Sequence, residues 1–476
     1  MGRPTVFPTG TTVYEPEKCQ SGYTLFTAPG QGVILINMNG KVVRYWKDMN
    51  GFPCKMIPGG HMFASLGARE GSEAYQDMTS VTMVDWDGNV EWSFDHNQKV
   101  NDPDTGEVWC ARQHHDYQIE GNPVGYPVPG QESNTDFQKM LILTHNDVRK
   151  PKISPQLLLE DRLIEIDREG NITWEWCMLD HWNEFELTEL QKNVMYRNPN
   201  IQESGPEGQG DIFHCNCASY LGPNHWYDEG DERFNPNNII MDSREANIMW
   251  ILDHETGKIV WQIGPDFTKT RELRVFGQIV GMHHSHMIPK GLPGAGNIMV
   301  YDNGGWAGYG APSQTSRIGL KAERRDGSRV VEFDPTTMKI VWECDGEKHG
   351  SEPGFPYTSN YFYSPLTSDA QRLPNGNTFI CEGTSAKLME FTPDNELVWE
   401  YVFPDVGPAL IYRAYRIPYE WIPQLEAPEE VAIPKIDNAT FRMPGASPSG
   451  YEDAEVTVEG TKGFPQRMAH CVDKLD

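Results

Sequence analysis

The chain has 476 residues, 38% of them hydrophobic, a length and composition that can bury a large core. Its 40 Lys and Arg residues stand against 68 Asp and Glu residues, which gives a formal net charge of -28 at pH 7. Because so acidic a protein repels phosphate backbones and anionic lipids, we expect neither nucleic acid nor a membrane surface as a partner.

The amino terminus, MGRPTVFPTGTTVY, lacks the basic start and apolar run of a secretory leader, and no apolar stretch approaches membrane-spanning length. Nine cysteines are scattered along the chain, and the nearest pair, Cys215 and Cys217, lacks the two-residue gap of common zinc and redox motifs. We therefore expect reduced thiols and a cytoplasmic location, or a periplasmic or secreted one if a leader was removed.

A hairpin motif recurs along the chain: an apolar strand, a turn with Asp, Asn or Gly, and a second strand that ends in Trp. The six copies are VILINMNGKVVRYW, VTMVDWDGNVEW, LIEIDREGNITW, IMWILDHETGKIVW, VVEFDPTTMKIVW and LMEFTPDNELVW. Their closing residues are Trp46, Trp92, Trp174, Trp261, Trp342 and Trp399. Period-two alternation with such turn residues is typical of β-hairpins.

A second strand-turn-strand element follows most of these hairpins, and DAQRLPNGNTFICEG at Asp369–Gly383 is its clearest form. Two hairpins per repeat make a four-stranded antiparallel sheet, so six repeats predict an all-β, six-bladed β-propeller with loop insertions. The alternative is a β-sandwich in which the tryptophan spacing is coincidental.

One helix is predicted, in FELTELQKNVMYR, where Leu187, Leu190 and Val194 fall at helical spacing.

The two ends of the repeat array predict how the ring closes. The strand in YRAYRIPYEW has no hairpin after it, while GYTLFTA and the first Trp hairpin have no strand before them. Joining them would complete the sixth blade and remove its exposed edges. We therefore assign residues 1–425 to a propeller closed by its amino- and carboxy-terminal strands. Residues 426–476 are Pro-rich, and we expect an irregular tail packed on the surface.

Several ionisable side chains are predicted to converge on the propeller channel, where ligand sites gather at one mouth. Aligning the Leu-Pro elements places His284, Asp369 and Arg413 at one level, five residues before a proline in each case. His115 comes to the same level, and His214 lies slightly upstream. Each histidine alone could equally be a hydrogen-bonded structural residue, but three at one level predict a site.

Two arginines open strands in similar local sequences, Arg244 in DSREANI and Arg329 in GSRVVEFD. An arginine beside channel histidines would bind a sulfate, phosphate or carboxylate in a bidentate manner and stabilise charge that develops on it. We favour Arg329 for this role, since an ordinary ion pair at a blade edge is the simpler interpretation of Arg244. The histidines that flank His284, His283 and His286, are interpreted as structural.

Aromatic residues near these motifs predict a wall for a planar ligand: Trp306 in the Gly-rich loop YDNGGWAGYG and Tyr363 in YFYSP. Structural packing of the loops is the alternative for both. The loop lacks the strand-to-helix context of a phosphate-binding loop, which disfavours a nucleotide ligand. The expected ligand is a small aromatic molecule, and its binding candidates are Arg244, Asp369, Tyr363, Arg413 and Trp306.

The motifs HCNCASY, MHHSHMIP, YDNGG, SRVVEFD and FYSPLTSDAQRLPNGN, in this order over Asp211–Tyr401, resemble the arylsulfotransferase family. These bacterial enzymes move sulfuryl groups between phenols without a nucleotide donor. The resemblance implies a six-bladed propeller, no required cofactor, and a sulfate group held by His214, His284 and Arg329. It also implies a nucleophilic histidine in CEGTSAKLMEF, where this chain has Thr384–Lys387 and no histidine.

Three explanations of the missing histidine stay open. His284 or His115 could be the nucleophile with a neighbour as base, the transfer could be direct, or the scaffold could perform different chemistry. In the last case His115, His214 and His284 are ligand types for a divalent metal such as zinc or manganese, and the protein would be a metal-dependent hydrolase or lyase. A non-enzymatic interaction platform is the third class.

The favoured prediction is an aryl-sulfate sulfotransferase-like enzyme that does not use PAPS. Its expected catalytic residues are His284, His214, Arg329 and His115, with no metal required. Homo-oligomerisation stays open, because a partner chain could complete the pocket.

Overall fold

The computed structural model describes residues 9–28, 31–69, 76–102, 106–199, 210–346, 362–404 and 410–435. Six four-stranded antiparallel sheets form the blades of a β-propeller, which confirms the all-β, six-bladed fold predicted from the hairpin repeats. The tail predicted for 426–476 falls mostly outside the described residues.

The first three blades, each named from its channel strand outward, contain these strands. Blade 1 contains β29 (Ala414–Ile417), β2 (Tyr23–Ala28), β3 (Gly32–Ile36) and β4 (Val42–Trp46). Blade 2 contains β5 (Asn50–Ile57), β6 (His61–Ser65), β7 (Val81–Val84) and β8 (Val90–Phe94). Blade 3 contains β11 (Gln113–Ile119), β12 (Lys139–Val148), β13 (Leu158–Asp167) and β14 (Ile172–Cys177).

The other three blades follow the same order from the channel outward. Blade 4 contains β15 (Cys215–Tyr220), β16 (Ile239–Ser243), β17 (Ile248–Leu252) and β18 (Ile259–Ile263). Blade 5 contains β19 (His283–Met287), β20 (Ile298–Asp302), β23 (Arg329–Phe333) and β24 (Ile340–Asp345). Blade 6 contains β25 (Ser368–Arg372), β26 (Thr378–Glu382), β27 (Lys387–Phe391) and β28 (Leu397–Val402). Two small hairpins, β9 (Gln98–Asp102) with β10 (Gly106–Cys110) and β21 (Ala307–Tyr309) with β22 (Leu320–Glu323), are insertions.

Both ends of the chain take part in closing the ring. Strand β29 is the innermost strand of blade 1 and pairs antiparallel with β2. Strand β1 (Gly10–Tyr14) pairs with β28 and adds a fifth, outermost strand to blade 6. The compact unit that contains the blades extends through Ile433, which exchanges backbone hydrogen bonds with Tyr14.

A glycine lies at the seam between β2 and β29. A Cβ atom on Gly22 would lie 2.5 Å from the carbonyl oxygen of Ile417. We expect Gly22→Ala to destabilise the protein by about 1–3 kcal/mol, because the backbone pair that closes the ring must move apart. Denaturant unfolding measures this, with Gly67→Ala as the control, where the nearest atom, Thr79 Oγ1, is 3.3 Å away. Equal effects of the two substitutions would contradict the prediction.

The tryptophans at the outer strands link each blade to the next. In five blades the indole Nε1 donates a hydrogen bond of 2.8–3.0 Å to a carbonyl in the outer hairpin turn of the following blade. The pairs are Trp92 with Arg168, Trp176 with Gly257, Trp261 with Pro335, Trp342 with Pro393, and Trp399 with Met38. Blade 3 uses Trp176 rather than Trp174. In blade 1, Trp46 instead packs edge-on against Trp86.

Among the residues that the structure describes, three α-helices lie outside the blades: α1 (Glu189–Arg197), α2 (His225–Asp228) and α3 (Arg271–Phe276). Single 3₁₀ turns occur at Met178–His181, Glu232–Phe234, Gly383–Ser385 and Tyr419–Trp421. Within the described ranges, no helix is long and apolar enough to cross a membrane.

The predicted helix is present as α1, but it begins later than the apolar spacing suggested. Thr188 forms a capping box with Gln191, so Leu187 precedes the helix. Val194 is buried, whereas Leu190 is 46% exposed. The regular spacing of the three residues therefore did not correspond to one buried helical face.

Candidate active site

Three histidines near the inner strands adopt the left-handed backbone conformation. His115, His214 and His284 have φ angles of 55°, 52° and 52°. The pairing register with the neighbouring strand shifts in β11, β15 and β19, close to each of them. Such bulges re-aim side chains, and positive φ at a residue other than glycine carries strain that clusters at functional sites. The three histidines thus share a positive φ and a register shift at equivalent places in three neighbouring inner strands.

His115 and His214 lie side by side with an aromatic wall beside them. Their ring centroids are 4.7 Å apart and their planes are nearly perpendicular. The Phe52 ring lies 4.5 Å from His115 and 4.2 Å from Tyr412. The Tyr412 hydroxyl donates to backbone carbonyl oxygens, including that of His115 at 3.1 Å. Two imidazoles and two aromatic rings thus share one small region.

Asp211 holds the ring of His214. The two side chains meet at 2.5 Å between His214 Nδ1 and Asp211 Oδ2, and the other carboxylate oxygen accepts the backbone N–H of His214 at 2.9 Å. Although burial opposes it, the charge of Asp211 raises the pKa of His214 above its ordinary value. A carboxylate that orients an imidazole in this way is typical of histidines that act as bases or nucleophiles.

A chain of histidines runs away from His115 into blade 3. His115 Nδ1 lies 2.7 Å from His114 Nδ1, and the His114 ring stacks on His145 with centroids 3.6 Å apart. His145 Nδ1 in turn lies 2.7 Å from Asp77 Oδ1. Burial, together with the charge of neighbouring histidines, lowers the pKa of His114 and of His115 well below the usual range. Burial therefore favours the neutral form of both rings. We call His114, His115, His145, His214 and His283 the histidine cluster.

Arg244 is the arginine beside this cluster. It is 4% exposed, pairs with Glu245 and donates to the carbonyl of Pro365 at 3.1 Å. Burial, and after it the charge of Arg244, lower the pKa of His283. The Nδ1 atom of His283 lies 2.7 Å from Asn303 Oδ1. His283, interpreted from the sequence as structural, therefore lies close to the candidate site.

Arg329 occupies a different part of blade 5. It opens β23, the third strand from the channel, where its Nε donates to Asp302 at 2.8 Å and its Nη1 to Glu343 at 3.0 Å. Its guanidinium also lies over the ring of Phe276. The local sequences favour Arg329 for the site and an ion pair for Arg244. The structure instead places Arg244 next to the histidines and Arg329 in the ion pairs of its own blade.

A second cluster contains His284, Asp369 and Arg413, the three residues aligned on their prolines, together with Lys55 and Asp116. Asp116 accepts from Lys55 Nζ at 2.6 Å and from Arg413 Nη1 at 3.0 Å. His284 Nδ1 lies 4.0 Å from Asp369 Oδ2. All five side chains are buried. Although burial opposes it, the two cations keep the pKa of Asp116 low. We call these five residues the charge cluster.

Asp369 predicts a dependence of stability on pH. Burial raises its pKa from 3.8 to about 7, so the folded state binds more protons than the unfolded state between these values. Stability should therefore fall as pH rises from about 4 to about 7, by roughly 1 kcal/mol per pH unit from this group. Asp369→Asn removes the titration, and the difference between the unfolding free energies of wild type and variant should change across this window. A difference independent of pH would contradict the prediction.

The sequence also predicted two aromatic binding residues, Trp306 and Tyr363, and the structure shows their local contacts. Trp306 is 45% exposed and stacks under the guanidinium of Arg324. Tyr363 is buried, and its backbone N–H donates to Glu382. Where the resemblance implied a nucleophilic histidine, Lys387 pairs with Glu382 at 2.5 Å and Thr384 shares a hydrogen bond with Ser364.

The described residues contain one group of three or more His, Cys, Asp or Glu side chains whose ligand atoms lie within 4.8 Å of one another. This group is His114, His145 and Asp161. The metal ligands that the sequence suggested, His115, His214 and His284, do not form such a group in the described part of the chain. The hydrolase or lyase alternative rested on those three ligands.

Several residues around the histidine cluster were not found from the sequence. Asp211 lies three residues before His214, a spacing that could have indicated a supporting carboxylate. Phe52 and Tyr412 come from segments far apart in sequence, so only the closed ring brings them together. The same holds for Asp77 and His145.

Comparison with known proteins identifies the family. The model of the family described as Arylsulfotransferase (ASST) matches residues 70–401. No curated protein sequence matches the chain. A protein of unknown function from Bacteroides caccae is 10% identical, with a TM-score of 0.44 over 84% of this chain and 99% of that one.

Two further solved structures are similar at the same level. The virginiamycin B lyase from Staphylococcus aureus is 12% identical, covering 84% of this chain and 85% of that one with a TM-score of 0.34. The Dos1 propeller is 10% identical, and the match covers 84% of this chain and 73% of that one with a TM-score of 0.33. Scores this low carry no argument about activity or substrate. The family match, which spans well over half of the sequence and agrees with the motif order, shows that the chain belongs to the arylsulfotransferase family.

Proposed function

We propose that this protein transfers a sulfuryl group from an aryl sulfate to a phenolic acceptor, without PAPS and without a required cofactor. The observation that carries the proposal is the Asp211–His214 pair beside His115 and Arg244 in a member of the arylsulfotransferase family. The expected substrate is a small aromatic molecule. We also propose a cytoplasmic location, as expected from the scattered cysteines.

His214 is the proposed nucleophile. The nitrogen that is not bonded to Asp211 attacks sulfur, an N–S bond forms, and the bond from sulfur to the aryl oxygen breaks. The leaving phenoxide takes a proton from solvent. The imidazole ring gains positive charge in this step, and the carboxylate of Asp211 at 2.5 Å balances that charge.

The second half reaction returns the enzyme to its starting state. The hydroxyl oxygen of the acceptor attacks sulfur, the N–S bond breaks, and the hydroxyl proton is released to solvent. Protons therefore balance over the cycle. This route replaces the histidine that is missing between Thr384 and Lys387 with one from blade 4, and it differs from the sequence hypothesis that named His284 or His115 as nucleophile.

The neighbouring residues have supporting roles. Arg244 neutralises charge on the sulfuryl oxygens, although Glu245 shares its guanidinium. His115 donates a hydrogen bond to the transferring group or to the phenolic oxygen. Phe52 and Tyr412 pack against the aryl ring.

The test is a transfer assay with an aryl sulfate, a phenol acceptor, and no added nucleotide or metal. We expect the sulfated acceptor, and we expect mass spectrometry of the quenched enzyme to place one sulfuryl group on His214. No transfer across a panel of phenols, or a sulfuryl group on another residue, would overturn the proposed route. Arg244→Met should lower kcat, whereas Arg329→Met should not lower it in folded protein.

A further inference from the structure

Three buried ligand atoms converge in blade 3, beside the proposed active site. His114, His145 and Asp161 each offer one ligand atom, a ring nitrogen or a carboxylate oxygen, and these atoms lie within 4.8 Å of one another. All three residues are at most 2% exposed. Neither Nε2 atom has a hydrogen-bond partner. The distance from His114 Nε2 to Asp161 Oδ1 is 3.6 Å, too long for a hydrogen bond.

The surroundings of His145 make its Nε2 a lone-pair donor to a metal. Its Nδ1 faces Asp77, which also accepts from Arg112 Nε at 2.8 Å and Arg69 Nη1 at 2.9 Å. A carboxylate bound by two guanidinium groups accepts hydrogen bonds and does not donate them, so the neutral His145 ring, the form that binds a metal, has its proton on Nδ1. Its Nε2 then carries a lone pair that points into a buried space.

Asp161 adds a carboxylate in an unfavourable position for a charge. It is 2% exposed, and it accepts one hydrogen bond, from the backbone N–H of Cys215 at 3.1 Å. Buried polar atoms without partners are rare, and each calls for an explanation such as an ion. Two unpartnered imidazole nitrogens and a desolvated carboxylate form a set of ligands for a cation.

We propose that His114 Nε2, His145 Nε2 and Asp161 bind a divalent transition metal ion of the Zn²⁺ class. Imidazole nitrogen favours such ions over Mg²⁺ and Ca²⁺, which prefer oxygen ligands throughout. The contact between Asp77 and His145 supplies the carboxylate that commonly supports a metal-bound histidine. Three protein ligands leave a coordination position for water.

The stacked arrangement of the two rings has a consequence for metal binding. The planes of His114 and His145 are only 9° from parallel and their centroids are 3.6 Å apart, so the lone pairs of the two rings lie in separate, nearly parallel planes and cannot both point at one ion. One ring must therefore rotate when the ion binds. With His114 bound through Nε2, its proton is on Nδ1 and is donated to His115 Nδ1, which leaves His115 with an N–H on its other nitrogen. The site therefore fixes the tautomer of His115, while the metal takes no part in the sulfuryl transfer.

The test measures metal binding directly and does not depend on activity. Protein stripped with a chelator and titrated with Zn²⁺ should bind one ion per chain at this site and unfold at a higher temperature with Zn²⁺ than without it. Co²⁺ should give visible absorption bands of a site with nitrogen and oxygen ligands. His114→Ala and Asp161→Asn should each weaken binding by about 100-fold or more, since a ligand of the metal costs at least as much as a supporting residue.

The control is Asp242→Asn. Asp242 is the corresponding carboxylate of the next blade: it is buried, and it accepts from the backbone N–H of Ser285 at 3.1 Å as Asp161 does from Cys215. This variant should bind Zn²⁺ as the wild type does. If His114→Ala does not fold, the conservative Asp161→Asn carries the test. Binding of less than one ion per chain, or unchanged affinity in Asp161→Asn, would overturn the proposal and leave a shared proton as the explanation of the cluster.

Discussion

Replacement of His214 by Gln should lower kcat for sulfuryl transfer by about 10³-fold or more, because the atom that bonds to sulfur is lost. Asp211→Asn should lower kcat by about 10²- to 10⁴-fold with little change in KM, because the carboxylate balances charge that the ring gains only during the reaction. The Asp211 variant should also accumulate less sulfuryl-enzyme in a single-turnover experiment with the aryl sulfate alone.

A histidine-carboxylate pair outside the site provides the matched control. His61 Nδ1 lies 2.6 Å from Glu91 Oε2 on blade 2. His61→Gln should leave kcat unchanged. This result would show that the fall in kcat depends on the position of His214 and does not follow from the loss of any histidine-carboxylate pair. Near-normal kcat in folded His214→Gln would exclude His214 as the nucleophile, and His115→Gln and His284→Gln would then be compared in the same assay.

Replacement of Asp116 by Ala should destabilise the protein by about 3–5 kcal/mol, the cost of leaving buried charges without their partner. Asp116 is the shared acceptor of Lys55 and Arg413, whose side chains are 5% and 0% exposed. The double variant Asp116→Ala, Lys55→Met should recover part of the loss, since one of the two unpaired charges is gone. Thermal and denaturant unfolding measure both effects.

A surface ion pair is the matched control for this prediction. Lys18 Nζ lies 2.6 Å from Glu396 Oε1, but both side chains are about half exposed. Lys18→Ala should change stability by at most about 1 kcal/mol. An equally small change for Asp116→Ala would mean that water reaches the charge cluster and screens it.

The fold was readable from the sequence because its signals are local. Each Trp hairpin contains its own alternation and turn, so six copies were sufficient to predict six blades. His284 was selected by a local signal too, its distance from Pro289, whereas His115 has no matching proline and His214 lies slightly upstream of the aligned level. The positive φ angles at these residues accompany shifts in strand register, and the alternation of apolar and polar residues in the sequence does not reveal such shifts.

The candidate site was less predictable because it depends on which strand of a blade carries a residue. Arg244 and Arg329 have similar local sequences, yet Arg244 follows the second strand of blade 4 and Arg329 opens the third strand of blade 5. Only the position of Arg244 brings a guanidinium group beside the histidine cluster. His145 and Asp77 reach His114 from other strands or loops, and such long-range neighbours leave no periodic signal.

The hydrogen bonds from five of the six outer tryptophans to the next blade bear on how such a ring can grow during evolution. An indole N–H in one blade is satisfied by a turn in its successor, so a single blade duplicated elsewhere would keep an unsatisfied donor and an uncovered apolar face. A new blade continues this series of bonds where it both presents a carbonyl to the preceding tryptophan and contributes a tryptophan to the following turn, whereas the junction of blades 1 and 2 relies on the packing of Trp46 against Trp86. The unit of inheritance is therefore a blade together with its two neighbours.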